Sequence, residues 1–427
     1  MAQQIIIKGT PVVAANEVLV ADSNSKIPAV DGSAITAMAG GNVGSGTIPT
    51  ARLDTGTAAN KLVVLTGSGL PAVDGSLLTG VSTSTKSASD PTISTNPSGG
   101  VGTEWINTTS GKQFICTDAT AGENVWKCSG GGASGDVVPW AYQGTQYGYS
   151  QGGYNGGYQD HIQKYSLTSA ANSTDVGNLV GTRTPASNQP DDGSYGFSTG
   201  STGGYSNAIW RFSFLSDGNA TDWADLSAVA GQGVTACSGT HGYYGGAGTG
   251  SYANGIDKYP LATQTNGTDI GNLTIGRDMT DGCSSATYGF AMGGSSPYRN
   301  TIDKWSFSTD GDATDHGDLL YNMENNGGCS STTHGYCVGG YTNSPTGSLN
   351  VIQKFLFASN ANATDVGDLR GLIQNNSGAS STTHGYTAGG SLSPQGQIDK
   401  FPFATDSNST DVADLTQIVW NSGSNSY

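Results

Sequence analysis

After about residue 138 a single unit returns six times, and a fixed period of this kind decides architecture before any one segment does. Its first mark is an aromatic or histidine, a glycine and a second aromatic, at 147–149, 195–197, 241–243, 288–290, 334–336 and 384–386. Glycine pairs follow at 152–153, 203–204, 245–246, 293–294, 339–340 and 389–390. The second mark is Ile162, Ile209, Ile256, Ile302, Ile352 and Ile398, each with a basic residue two places on (Lys164, Arg211, Lys258, Lys304, Lys354, Lys400) and then an aromatic. The third is Thr-Asp, ending at Asp175, Asp222, Asp269, Asp315, Asp365 and Asp411. Ile to Asp is thirteen residues in every copy, while the period runs 47, 47, 46, 50 and 46. The extra residues of the fifth copy lie between Gly340 and Ile352.

The pattern inside the unit is β. Short runs such as IDKWSF and YGFAMGG mix aromatic and β-branched residues between Gly, Asn, Asp and Ser, and no segment keeps a period of 3.6. A unit of this length holds four short strands, one propeller blade. Closing six twisted blades into a ring leaves no exposed terminal edge, and the tail after Leu415, TQIVWNSGSNSY, is placed to give the first blade a strand. Composition agrees: 66 glycines in 427 residues are twice the usual ~7%, and 12% charged residues are half the usual ~25%. That excludes a charge-rich helical bundle, and the absence of a sustained Gly-x-y period excludes collagen. With 17 basic against 33 acidic residues, a net charge of −16, nothing is left over to neutralise nucleic-acid phosphates or to form a polybasic membrane site. No apolar run is long enough to insert in a membrane, and the start, MAQQIIIKGTPVV, lacks the apolar core of a signal peptide.

The Gly-Gly doublet after a strand, with an aromatic downstream at this period, resembles kelch-type propeller repeats. The strings CSSTTHGYCVGG, VIQKF and NATDVGDL are similar to the kelch-like arrays of phage structural proteins, although the regular Tyr and Trp after the doublet are missing. The first 87 residues carry a coarser repeat, PAVDGS at 28–33 and again at 71–76, in a Gly-, Ser-, Thr- and Ala-rich chain. Such a chain cannot bury enough area alone to offset its ordering entropy. GTIPTARLDTGTAANKL and GLPAVDGSLLTGV resemble phage tail-fibre shafts, which are homotrimers. Residues 88–136 read as a small β module with Trp105 and Trp126 and a Gly-rich hinge; Cys116 and Cys128 are either a disulfide loop or two buried thiols. The expected architecture is therefore all-β: an elongated trimeric shaft (1–87), the module (88–136) and a six-bladed kelch-like propeller (137–427).

Chemistry is harder to find. His241, His334 and His384 share a repeat position with Tyr147, Tyr195 and Tyr288, which points to a flat packing ring rather than a metal ligand. Cys237, Cys283 and Cys329 stand where the sixth copy has Ala379, as small buried residues do, and no base accompanies them. The Thr-Asp aspartates suit a turn cap or a bond to backbone N–H, and the repeat cations eleven residues before them read as their charge partners, either within a blade or across blades. No carboxylate pair for glycoside hydrolysis stands apart from the repeat. Neither a catalytic residue, a metal nor a cofactor is expected.

The loops from Gly-Gly to Ile vary while the rest stays fixed, as binding loops on a scaffold do. Four residues before the repeat Ile stand Tyr158, Tyr205, Tyr252 and Tyr298. With Tyr154, Arg299 and Tyr341 they make a candidate recognition surface on one face, since Tyr joins a flat apolar body to a hydroxyl. The resemblance implies a virion fibre that attaches to a host glycan or protein, held to other tail or capsid proteins through its N-terminus. A polysaccharide depolymerase and a purely structural capsid or tail decoration are the alternatives.

Overall fold

The computed structural model describes residues 84–129 and 141–427, apart from 187, 202–203, 248–252, 296 and 392–394. The expected shaft, up to residue 83, and the hinge lie outside the described residues. Among the described residues every regular element is a strand; the fold is all-β and contains no helix.

The small module is a four-stranded sheet in chain order: Thr85–Ser87, Glu104–Asn107, Gln113–Asp118 and Val125–Ser129. Its first strand lies on the shaft side of the expected boundary. Phe114, Cys116 and Trp126 are fully buried, and Trp105 meets Trp126 edge-on at 5.9 Å. Cys116 pairs across the sheet with Trp126, and Cys128 with Phe114, so the two cysteines stand out of register and both are free thiols.

In the array, the aromatic-Gly-aromatic mark is one strand (His334–Val338, for example), the Ile-x-Lys-aromatic mark the next (Thr346–Leu356) and Thr-Asp opens the outermost (Thr364–Ile373). A shorter strand precedes them on the inside, as in Gly327–Ser330. Among the described residues the second repeat lacks that inner strand; its segment holds Pro190, which has no N–H to give a ladder. The first repeat receives its inner strand from the tail: Gly423–Ser426 pairs antiparallel with Tyr147–Gln151. In the fifth repeat the extra residues form a hairpin, Tyr341–Asn343 against the start of Thr346–Leu356. That hairpin also pairs with the end of Thr314–Glu324, fusing the fourth and fifth sheets into one of nine strands.

The Ile and the aromatic of the second mark are three residues apart, so in a strand they point to opposite faces. All six isoleucines and all six aromatics are buried. Each sheet is therefore covered on both sides. The isoleucine of one repeat packs with the aromatic of the next: Ile162 with Phe212, Ile209 with Tyr259, Ile256 with Trp305, Ile302 with Phe355 and Ile352 with Phe401. The series returns to its start, since Ile398 packs with Tyr165. The glycine of the first mark follows from this packing. Gly335 lies opposite Phe355 in the ladder, and a Cβ there would enter the Phe355 ring; the same holds at Gly148, Gly196, Gly242, Gly289 and Gly385.

A pair of hydrogen bonds repeats this junction on the outside. The backbone N–H of Asp318 donates to Asn362 Oδ1 (3.0 Å), and Ala363 N–H donates to Asp318 O (2.8 Å). The first of these bonds recurs through Asn219, Asn266, Asp312 and Asn408, and from Asp414 back to Asn172 (3.1 Å). Each of these asparagines stands two residues before the Thr of its Thr-Asp mark.

The Thr-Asp aspartates do bond backbone N–H groups two residues on, as at Asp315 and Asp365. They are not the partners of the repeat cations. Lys164, Lys258 and Lys354 instead reach the next repeat's turn, at Asp217 (2.8 Å), Asp310 (2.8 Å) and Asp406 (2.5 Å), and Lys304 reaches Asn360 (3.1 Å). The cation lies on the side facing the following sheet, and the Asp eleven residues on belongs to its own. Half-exposed pairs of this kind contribute little, ~0–1 kcal/mol each.

Replacing Asn172 or Asn362 by Ala removes one junction bond. Each variant should lose ~1 kcal/mol and melt ~2–4 °C lower in a thermal unfolding scan. An unchanged melting point for Asn172→Ala alone would show that the sixth-to-first junction does not carry the load the others do.

Candidate recognition site

The inner strands set two ends. At one end, after Gly-Gly, the variable loops meet the connectors that lead into the next inner strand. The residues two places before those inner strands line a central mouth: Gln232, Met279, Asn325, Asn375 and Asn421. They are joined head to tail through the backbone: Met279 N–H to Gln232 O (2.9 Å), Asn325 to Met279 (2.9 Å), Asn375 to Asn325 and Asn421 to Asn375 (both 2.8 Å). The last four stand at φ 51, 54, 58 and 52°, a left-handed region in which asparagine is among the few comfortable residues.

At the other end the chain itself fills the axis. Gln143 Nε2 donates to Ser330 O (3.0 Å), Gly144 N–H donates to Ser380 O (2.8 Å), and Tyr142 is buried. Between the ends, inner strands approach so closely that a Cβ at Gly328 would collide with Gly282 O. A serine ladder ties them, running from Cys237 N–H to Ser284 Oγ, Ser284 to Ser330, Ser330 to Ser380 and Ser380 to Ser426. Asn188, from the segment of the second repeat that forms no inner strand, inserts its amide here and donates to Gly282 O (2.6 Å) and Gly328 O (2.7 Å). Beside it lies Asp281, 1% exposed, with Oδ1 accepting from Gly282 N–H. Burial pushes its carboxyl up to about 7, against the pull of the Gly282 and Gly328 N–H groups and of Asn188.

The candidate tyrosines fall into two groups and a remainder. Tyr154 forms an antiparallel bridge with Trp420 (N–H to O 2.8 and 3.1 Å), and their rings are 5.5 Å apart. Tyr158 meets Tyr154 edge-on at 5.3 Å and is 42% exposed. Further round, Tyr298 is 6.2 Å from Tyr341 and its hydroxyl donates to Glu324 Oε1 (3.1 Å). Arg299 opens the strand beside Tyr298, with its Nε buried and unpaired. Tyr205 stands exposed with its ring over Gly231. Tyr252 lies outside the described residues.

Three participants escape the repeat marks. Trp420 occupies the position that is Gly231, Asp278, Glu324 and Gln374 in other copies. Asp278 and Glu324 meet through Ser295, which donates to Asp278 Oδ1 (2.5 Å) and also bonds Glu324. Burial raises the Glu324 carboxyl, the Ser295 and Tyr298 hydroxyls pull it back, and nearby Asp278 adds to the rise. The signal available in sequence was that Glu324 is the sole glutamate beyond residue 137.

The histidines behave as packing groups. His334 Nδ1 bonds Thr333 Oγ1 at 2.8 Å, and burial together with Lys354 lowers its pKa. Where the residue is Tyr, the repeat cation lies over the ring, as Lys164 does over Tyr147 at 4.7 Å. No group of three potential ligands is close enough to hold a metal among the described residues. Cys283 and Cys329 share their register with Ala236 and Ala379, but Cys237 stands one residue later, in the serine position. Burial raises all three thiols, so none is a nucleophile near neutral pH. No protein-family model matches the chain, and neither does any curated protein.

Asp281 holds its proton in the folded protein where the unfolded chain releases it, so folding stability falls as pH rises from about 4 to about 7 and then levels off. Asp281→Asn should flatten that slope in urea unfolding measured from pH 4 to 8.5. A wild-type slope that persists in the variant would assign it elsewhere.

Proposed function

We propose that residues 137–427 form a six-bladed β-propeller at the tip of a virion fibre, and that the fibre attaches the particle to a host surface by binding alone. The observation that carries this reading is the asymmetry of the axis. The chain enters at one end through Tyr142, Gln143 and Gly144, while aromatic loops and an amide-lined mouth gather at the other. A tip approached from behind leaves its loop face free for a glycan or protein ligand. Six cores between successive repeats, the last joining sixth to first, support the propeller. Residues 1–87 would form the homotrimeric shaft and bind other tail or capsid proteins, and three copies would turn weak contacts into avidity.

A second reading draws on the Asp278–Ser295–Glu324 cluster, where one carboxyl is raised beside another. That is the arrangement a polysaccharide depolymerase uses. Purified full-length protein, added ahead of phage, should bind host cells and lower adsorption in proportion to dose without releasing reducing ends from host polysaccharide. Absence of both binding and competition would overturn attachment. Reducing-end release that disappears in Glu324→Gln would establish the depolymerase instead.

A further inference from the structure

We infer that the junction of the sixth and first repeats holds a subsite for a neutral pyranose sugar, stacked on Tyr158 and Trp420 and bonded by the Asn421 amide. This rests on the attachment reading and narrows it to one ligand class and one place. Repeat symmetry is broken here. The connector position that carries Gly, Asp, Glu or Gln elsewhere carries Trp420, whose ring packs on Tyr154, and Tyr154 in turn meets Tyr158. The aromatic group is fixed before any ligand arrives, because Tyr154 and Trp420 are held by two backbone hydrogen bonds and Tyr158 bridges back to Tyr154. Ordering such a platform therefore costs a ligand little.

The chemistry selects the ligand. An aromatic face is negative, and the C–H face of a pyranose ring offers it positive hydrogens, while the ring's hydroxyls need partners at the edge. Asn421, next to Trp420 and half-buried at the mouth, supplies a donor and an acceptor, and its amide bonds no other side chain among the described residues. Charge argues against an acidic sugar. The described segments that build the junction, 152–160, 389–391, 395–397 and 417–421, contain no Lys or Arg but do contain Asp160, in a chain of net charge −16. A uronate or sialate would find no cation to offset its charge.

The test titrates the full-length protein with glucose, galactose, N-acetylglucosamine and glucuronate, followed by tryptophan fluorescence and by saturation-transfer NMR. At least one neutral sugar should bind saturably, glucuronate should bind more weakly, and Trp420→Ala or Tyr158→Ala should weaken binding by about tenfold or more, the effect of losing a central aromatic anchor. Trp420→Phe keeps a ring and the backbone bridge and should retain part of the affinity, which separates lost stacking from lost folding. Leu215→Ala, in an exposed turn of the second repeat, should leave it unchanged. Lack of saturable binding by any neutral sugar, or binding that survives both Trp420→Ala and Tyr158→Ala, overturns the subsite. If wild-type protein still blocks adsorption in that event, only the subsite has failed; if it does not, attachment has failed as well.

Discussion

The contact between an isoleucine of one repeat and an aromatic of the next is what the array is built around. Neither residue could be buried by its own sheet, since they point to opposite faces of one strand. Each sheet must find a neighbour on both sides, and the requirement ends only when the last sheet meets the first, as Ile398 does with Tyr165. The remaining regularities serve that contact. Glycines such as Gly335 clear space for the aromatic ring, and the junction asparagines bind the outer strands so that the inner ones can approach along the axis.

Much of this was open to a reader of the sequence, because packing forces the same residue type at the same place in each copy. The three marks name the second, third and outermost strands, and the tail was read as lending the first copy a strand. Hydrogen-bonding residues were less legible. In five of the six copies the position between Ile and the cation is Gln163, Asp257, Asp303, Gln353 or Asp399 (the second has Trp210), and these clasp the preceding connector, as Asp303 does with the N–H and hydroxyl of Thr274. Asp and Gln perform one task there, so the pattern hides beneath residue identity. The cation's partner was misidentified because recurrence tied it to the Thr-Asp aspartate, within one sheet or across two, while the charge faces across to a turn whose sequence is free to vary.

The recognition face was legible in outline and not in detail. Loop tyrosines announced themselves by recurring, yet what distinguishes the face is what does not recur. Trp420 sits in a tail outside the counted marks, and Asp278 and Glu324 share a position with Gln374 and Gly231. Repetition identifies a scaffold, whereas a binding site on it is written in the exceptions. Asp281 is another such exception, an acid on the axis where other copies place Val234, Gly327 or Ser377.

The strand Gly423–Ser426 lies against Tyr147–Gln151, with 271 residues between the end of one and the start of the other. During synthesis the first sheet emerges long before the strand that completes it, and at ~5–20 residues per second the wait is tens of seconds or less. Over that interval its inner edge and its Tyr165 side are uncovered, and so are open to pairing with another nascent chain. A long-range pairing of this kind also slows folding, because loop-closure entropy must be overcome before the contact forms. A sheet assembled in this order takes its final shape only once Gly423–Ser426 has been made.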